Sequence, residues 1–382
     1  MGSLFFALRL TWIFAIPETV AQVRYSALLM NKRLFQHLCE TPGVSGREER
    51  VREVVRDNIR GLFDSVREDT MGSLICTRKA TGGTKRKPTR VLLCAHMDEI
   101  GFYIRHVDEQ GYAWANPAGG FDPRNLFHRR VLVCTDKGDH VGIMTAGGKP
   151  VHISSPEERK QIPEPLDFYI DLGMTPAKAK KAVQVGDFVV MHEPFEEQPE
   201  AFVSKAVDNR FAVFCAIEAL RQITKARGKA GEHACEIVVA FTTQEEVGLR
   251  GAFTAAEAVG ADLGIGLDVT LCADTPGVAE ADRVTKRGEG AGVMFMDSSM
   301  IADRTLAEDI CKVAKRKKIS YQRCILPRGG QDGAAIQRSG HGVRCAALVC
   351  GTRYVHTITE SIHKGDLQAT IDLLAAWLRS VK

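Results

Sequence analysis

The chain has 382 residues, of which 45% are hydrophobic and 26% charged, a composition typical of a globular protein and not of a disordered or fibrous one. This length allows two domains of the usual size, roughly 100–200 residues each. The formal net charge of +4 is too small over this length to imply a polyanionic partner, so we predict no nucleic-acid binding.

Residues 1–30 precede the first helical pattern and are predicted to be an extension outside the core fold. Their apolar run, 4–17, is interrupted by Arg9 and is shorter than the roughly 20 residues that a membrane helix needs. It also lacks the basic start and the small-residue cleavage site of a signal peptide, which is the less favoured alternative. We therefore predict that the protein has no membrane association.

Helical and strand patterns alternate up to residue 100. A helix is predicted from Leu34, and a second over 48–62 begins near Ser45 and Glu48, which stand three residues apart as in a capping box. The run at 91–95, VLLCA, is apolar throughout, which is typical of a strand buried on both faces of a parallel or mixed sheet.

From 101 to 199 the pattern changes to short β-like runs separated by Gly, Pro and Asp, which predicts an inserted β-barrel domain. After Lys205 helices and strands alternate again up to residue 382. Helices are predicted at 211–226, 251–258, 306–316 and 366–379, and strands at 235–242, 263–269 and 345–350. We therefore predict an α/β fold, with a catalytic domain of a mixed sheet between helices built from 31–100 and 200–382.

Eleven cysteines are spread along the chain without a Cys-x-x-Cys pair, and several lie inside apolar runs. Free cysteine commonly behaves as a small buried hydrophobic residue. This pattern predicts a reducing, cytoplasmic compartment and excludes a disulfide scaffold or a thiolate zinc site.

Polar residues follow the predicted strands at the strand ends, where ligand sites collect in open α/β sheets. His96 follows VLLCA, and Asp98 faces the same way two residues later in an extended chain. Asp208 precedes a predicted helix, where a simple N-cap is the alternative interpretation. Asp268 ends another strand, and His356 follows the strand at 345–350.

Glu245 and Glu246 are adjacent carboxylates after a buried strand, an arrangement that is unfavourable unless a cation neutralises it. In a metal site one of them can bind the ion while the other accepts a proton from water. Two histidines and several carboxylates from strand ends form a mixed nitrogen and oxygen ligand set, suited to zinc, cobalt or manganese.

Five segments occur in the order and context of the M42 family of metallo-aminopeptidases, which this chain resembles from about Asn31 to residue 382. The family includes the tetrahedral (TET) and glutamyl aminopeptidases. The segments are His96-x-Asp98, Asp208-Asn209-Arg210, Gln244-Glu245-Glu246-Val247-Gly248, Leu267-Asp268-Val269 and Arg353-Tyr354-x-His356.

The resemblance implies a role for each motif residue in an aminopeptidase that acts on short peptides with two bound metal ions. Asp208 would bridge the two ions, His96 and Asp268 would complete one site, and Glu246 and His356 the other. Glu245 would be the general base and Asp98 would orient His96. The family also implies a homo-oligomer, from a dimer formed through the barrel to a tetrahedral dodecamer.

One motif departs from the family pattern of Gly-Thr-Asp-Ala near the substrate pocket. Here the chain reads Gly330-Gln331-Asp332-Gly333-Ala334, so the aspartate is kept while a glutamine replaces threonine and a glycine is added. The departure leaves the predicted metal ligands intact, and we expect it to affect the substrate preference.

Three other functions remain open from the sequence. A related deacylase of N-acyl amino acids would use the same ions without needing a free amine. A glycosidase could use Glu245 with a second carboxylate across a sugar. A catalytically silent assembly subunit is disfavoured, because the metal set is complete and Glu245 is present.

Overall fold

The computed structural model describes residues 30–82, 87–226 and 228–382, and Lys32–Lys382 form one compact unit. The predicted extension therefore lies outside the described residues, except for Met30. Within the described ranges, no helix is long and apolar enough to cross a membrane.

The described chain contains eight α-helices and seventeen strands, together with short 3₁₀ turns. The helices are α1 (Lys32–Glu40), α2 (Glu49–Asn58), α3 (Pro176–Ala182), α4 (Val207–Lys225), α5 (Arg250–Val259), α6 (Arg304–Lys317), α7 (Gly333–Gln337) and α8 (Lys364–Leu378). The strands are β1 (Ser65–Glu68), β2 (Leu74–Arg78), β3 (Arg90–His96), β4 (Gly101–Val107), β5 (Ala113–Ala118), β6 (Arg129–Thr135), β7 (Gly138–Ala146), β8 (Phe168–Asp171), β9 (Phe188–Met191), β10 (Glu196–Glu197), β11 (Ala201–Ser204), β12 (Glu236–Thr242), β13 (Leu263–Leu271), β14 (Ala291–Met296), β15 (Tyr321–Ile325), β16 (Arg344–Arg353) and β17 (Glu360–His363).

An eleven-stranded mixed sheet forms the centre of the fold, in the order β1-β2-β12-β3-β13-β16-β17-β11-β10, with β14 and β15 branching from β16. The four central strands β12, β3, β13 and β16 are parallel to one another. They are buried along almost their whole length, as their unbroken apolar runs predict. Their carboxyl ends therefore meet at one edge of the sheet.

Helices pack against the strands of this sheet in two groups. Helices α4 and α8 pack against each other and on the central strands, while α5 and α7 form a second group. Gly264 of β13 lies against Ile336 of α7, and Gly266 lies against Gln331 and Gly333 at the start of that helix, so a Cβ on either glycine would clash with these neighbours. The glycines thus let this short helix approach the strand closely.

Six antiparallel strands close into a barrel, in the order β4-β5-β8-β7-β6-β9. Its interior is filled by a separate apolar cluster that includes Phe102, Val131, Met144, Phe168 and Ile170. The strands of the barrel lie between residues 101 and 191, whereas β10 and β11 belong to the large sheet. The predicted fold class, a mixed α/β sheet with an inserted β-barrel, is confirmed.

All eleven cysteines are buried and none forms a disulfide, as their positions in apolar runs predict. Burial raises the pKa of thiols such as Cys76 and Cys324 to about 12. These cysteines therefore act as packing residues and not as nucleophiles.

Candidate active site

The five residues predicted to bind metal come together at the carboxyl edge of the central strands. His96 is the last residue of β3, Asp268 lies near the end of β13, and Glu246 follows β12 by four residues. His356 lies in the loop between β16 and β17, and Asp208 in the first turn of α4. The parallel topology thus gathers residues that are up to 260 positions apart in the sequence.

Asp208 lies between the two histidines. Its Oδ1 is 3.3 Å from His96 Nε2, and its Oδ2 is 3.4 Å from His356 Nε2. Asp268 Oδ1 lies 3.9 Å from His96 Nε2, and Glu246 Oε2 lies 3.4 Å from His356 Nε2. Asp208 therefore lies near both histidines, and each histidine has a second carboxylate beside it.

The backbone around Asp208 is irregular, which separates it from an ordinary helix cap. Asp208 and Asn209 have non-helical dihedral angles, and the peptide bond between them is cis. The N-cap position of α4 is Ala206, and Asp208 lies two residues further along the chain, so the interpretation of Asp208 as a simple N-cap is wrong. Asn209 anchors this turn, because its Nδ2 donates to Leu267 O at 2.9 Å and its Oδ1 accepts from Ala212 N.

Asp98 contacts both His96 and the loop that carries the adjacent glutamates. Its Oδ1 lies 3.4 Å from His96 Nδ1, and its backbone oxygen is 3.1 Å from the same nitrogen. Its carboxylate also accepts hydrogen bonds from the backbone N–H groups of Glu245 (3.0 Å) and Glu246 (3.1 Å). Ser45 Oγ donates a further bond of 2.6 Å. Asp98 thus connects β3 to the end of β12.

Ser45 and Glu48 do not form the predicted capping box, because both side chains bind elsewhere. Ser45 donates to Asp98, and Glu48 accepts from the backbone N–H of Gln244 at 3.0 Å and of Gly46 at 2.7 Å. Gln244 has a left-handed backbone, with φ of 56°. Glu48 therefore supports the turn that leads into Glu245, and helix α2 begins without a side-chain cap.

The site concentrates negative charge away from water. Burial raises the pKa of Glu245 and of Asp268 well above their ordinary values, and it also raises the pKa of Glu246. Burial opposes a charge on His96, but Glu245, Asp208 and Asp98 together raise its pKa well above the usual range. Burial and the neighbouring carboxylates thus oppose ionisation of these acidic groups, as is typical of a site whose charge a cation would neutralise.

The residues present fit divalent cations. The site contains two groups of three residues, and within each group the ligand atoms lie within 4.8 Å of one another. One group is His96, Glu245 and Asp268, and the other is His96, Asp208 and Glu246. Glu246 Oε1 is buried and has no hydrogen-bond partner in the described part of the chain. An unsatisfied buried carboxylate oxygen is costly unless a cation or an ordered water compensates it. Imidazole and carboxylate ligands suit zinc, cobalt and manganese.

An open cleft of about 500 Å³ lies against this cluster. Its lining combines Asp208, the adjacent glutamates and His356 with the apolar side chains of Leu249, Leu271 and Leu326. Arg328 is the one Lys or Arg among the described lining residues. The cleft is therefore acidic at its base and largely apolar on its walls.

Gln331, the departure from the family motif, does not line this cleft. It is 3% exposed, and its Nε2 donates to Asp297 Oδ2 at 2.9 Å while its Oε1 accepts from Gly333 N. The neighbouring Asp332 accepts a bond of 2.5 Å from Thr242 Oγ1, at the end of β12. Gln331 thus joins the start of α7 to Asp297, and the effect of this departure on substrate preference stays a prediction.

Comparison with known proteins gives a consistent match. The profile of the family described as M42 glutamyl aminopeptidase covers residues 72–373. A putative aminopeptidase from Acetivibrio thermocellus is 32% identical over 333 residues, which are 87% of this chain and 93% of that protein. The crystal structure of a TET aminopeptidase from a marine sediment archaeon of the Thaumarchaeota has a TM-score of 0.86 and 32% identity, covering 92% of this chain and 96% of its own. The Pyrococcus horikoshii TET1 peptidase, which can assemble into a tetrahedron or a large octahedral shell, has a TM-score of 0.78 and 29% identity, covering 91% of this chain and 98% of its own.

Proposed function

The chain belongs to the M42 family of aminopeptidases, and from that premise we propose that it releases single residues from free peptide N-termini by a two-metal, glutamate-assisted hydrolysis. The observation that carries this proposal is the position of Asp208, whose two carboxylate oxygens face two different histidines. A carboxylate in that position can serve two ions at once, while the remaining ligands divide between them.

We assign one ion to His96 and Asp268 and the other to Glu246 and His356, with Asp208 shared. Zinc or cobalt is the expected metal, and manganese is the alternative. When bound, a pair of divalent ions supplies a Lewis acid for the scissile carbonyl and lowers the pKa of water. Glu245 also reaches to within 3.8 Å of His96 Nε2, so its role must be separated from that of a ligand by experiment.

Glu245 is proposed to be the general base. Its side chain lines the cleft, and its backbone N–H is fixed by Asp98 at 3.0 Å. A carboxylate held there can take a proton from the attacking water and return it to the leaving amine. Asp98 is proposed to orient His96, since a carboxylate beside the outer nitrogen of a ligand histidine fixes its tautomer and ring position.

The proposed metal centre also accounts for the proposed restriction to free N-termini. The unblocked α-amine of a peptide has a lone pair that one of the ions could accept when bound, whereas the nitrogen of an acetylated amine has none available. The apolar walls near Leu271 and Leu326 offer space for the side chain of the residue to be removed. Short peptides are accordingly the proposed substrates.

Substrates with and without a blocked amine test the proposed reaction. With a panel of aminoacyl-p-nitroanilides, we expect the metal-loaded protein to release p-nitroaniline from leucine-p-nitroanilide and not from its N-acetyl derivative. Release of p-nitroaniline from both substrates would contradict the restriction to free N-termini. Release of acetate from N-acetyl-leucine, without release of p-nitroaniline from leucine-p-nitroanilide, would identify the deacylase alternative instead.

The barrel is proposed to contribute to a homo-oligomer. Strand β7 exposes Val141 (52%) and Ile143 (51%), and the segment before β8 exposes Ile153 (69%) and Ile162 (58%). Apolar side chains grouped on a surface mark a contact site. We therefore expect light scattering to give the mass of a dimer or of a dodecamer, and a monomer at micromolar concentration would contradict this proposal. A cytoplasmic location stays a prediction, supported by the eleven unpaired cysteines.

A further inference from the structure

A buried carboxylate that no sequence motif singled out lies directly behind the candidate metal centre. Glu360, the first residue of β17, is 2% exposed. Its Oε2 accepts a hydrogen bond from Asp208 N at 2.9 Å, and its Oε1 accepts one from His356 N at 2.7 Å. One side chain thus holds the backbone of two residues that are proposed to bind metal.

The register of the sheet explains why Glu360 reaches both residues. Strand β17 pairs with β11, where Glu360 lies opposite Ser204, and with β16, where Ser361 lies opposite Arg353. The chain runs from Ser204 to Asp208 in four residues, and His356 lies in the loop that joins β16 to β17. The start of β17 therefore lies between the two loops.

Both loops have backbone conformations that need external support. Ala206, two residues before Asp208, has φ of 57°, and Tyr354 and His356 have φ of 61° and 63°. Residues other than glycine adopt this left-handed conformation at a cost in free energy, and they keep it where the surrounding contacts stabilise it. Hydrogen bonds from backbone N–H groups to a carboxylate are among the stronger ones available for this purpose.

We infer that Glu360 is a positioning residue of the metal centre, which fixes the backbone at Asp208 and His356 and so sets the affinity for the ion assigned to Glu246 and His356. The other ion is assigned to His96 and Asp268, and Glu360 touches that pair only through the shared Asp208. Loss of the Glu360 carboxylate is therefore expected to affect the two ions unequally. This inference rests on the proposed two-metal function.

Calorimetric titration of chelator-stripped protein with zinc tests the inference without any measurement of activity. Titrations of the His356→Ala and Asp268→Asn variants, compared with that of the wild-type protein, identify which binding event belongs to which ion. Glu360→Gln keeps the size of the side chain but removes one acceptor. In this variant, we expect the zinc affinity of the binding event that is lost in His356→Ala to fall about 10–100-fold. The zinc affinity of the binding event that is lost in Asp268→Asn should fall by a clearly smaller factor.

Asp366 provides a matched control. It is also 2% exposed, and its carboxylate accepts two backbone hydrogen bonds of 2.8 Å, from Gly288 and Gly290, outside the metal centre. Asp366→Asn should leave both zinc affinities unchanged. Glu360→Asp, which keeps the charge and shortens the side chain, is measured in parallel in case Glu360→Gln does not fold, and we expect it to weaken the same event.

The outcomes separate the inference from the function on which it rests. Unchanged zinc affinities in the Glu360 variants, or equal weakening of both events, would overturn the positioning role while the two-metal proposal stands. If the wild-type protein does not bind two zinc ions, the proposed function fails, and the inference fails with it.

Discussion

Glu245→Gln is expected to lower kcat by about 10²–10⁴-fold, the usual contribution of a positioned general base. Glutamine keeps the shape of the side chain but cannot accept a proton from water near neutral pH. KM for leucine-p-nitroanilide and the bound-metal content are expected to change little, because Glu245 is not assigned as a ligand. Steady-state kinetics, together with elemental analysis of the purified variant, measure both quantities.

The elemental analysis distinguishes the two adjacent glutamates. Glu246→Gln should lose metal, because Glu246 Oε2 lies 3.4 Å from His356 Nε2 and its Oε1 has no partner in the described structure. Glu53→Gln, the same change at a side chain that is 71% exposed on α2, should have wild-type activity and metal content. If Glu245→Gln loses an ion and Glu246→Gln does not, the two roles must be exchanged.

Much of this site was predictable because its residues follow strongly apolar strands. VLLCA identifies β3 as a central strand, so His96 had to lie at the sheet edge, and the same reasoning applies to Asp268 after the run at 263–267. The fold class was predictable for a similar reason, since β-like runs at 101–191 contrast with the alternating pattern on either side. Local patterns of this kind depend only on burial and on strand or helix periodicity.

The supporting residues could not be predicted, because their roles depend on contacts between distant segments. Glu48 resembles a capping residue in sequence, yet its carboxylate binds Gln244, 196 positions away. Glu360 has no local signal at all, because its two bonds require the pairing of β17 with β11. Gln331, the departure from the family motif, is buried and donates a hydrogen bond to Asp297, a contact between distant segments that the sequence does not indicate. Register and tertiary packing decide all three cases.

Removal of both metal ions is expected to reduce aminopeptidase activity below detection and to lower the thermal stability of the protein. Without cations, the buried carboxylates of Asp208, Glu246 and Asp268 repel one another, and water and substrate lose their activation. By binding linkage, each ion stabilises the folded state by about 4 kcal/mol when its free concentration is 1,000 times its Kd. Chelator-treated protein, with metal removal verified by elemental analysis, should therefore melt at a lower temperature and recover with zinc, cobalt or manganese.

A variant separates metal loss from side effects of the chelator. Asp208→Asn removes the ligand shared by both proposed ions, so it should behave like the stripped protein and gain neither activity nor stability when metal is added. Asp57→Asn, the same change at a side chain that is 67% exposed, should respond to metal as the wild-type protein does. Aminopeptidase activity that persists in metal-free protein would contradict the two-metal mechanism. Hydrolysis of a p-nitrophenyl glycoside by metal-free protein, with no aminopeptidase activity in the metal-loaded protein, would instead favour a glycosidase, because most glycosidases rely on two carboxylates alone. The pairing of each Asp208 oxygen with a different histidine argues against that outcome, since a carboxylate that works across a sugar needs no imidazole on either side of it.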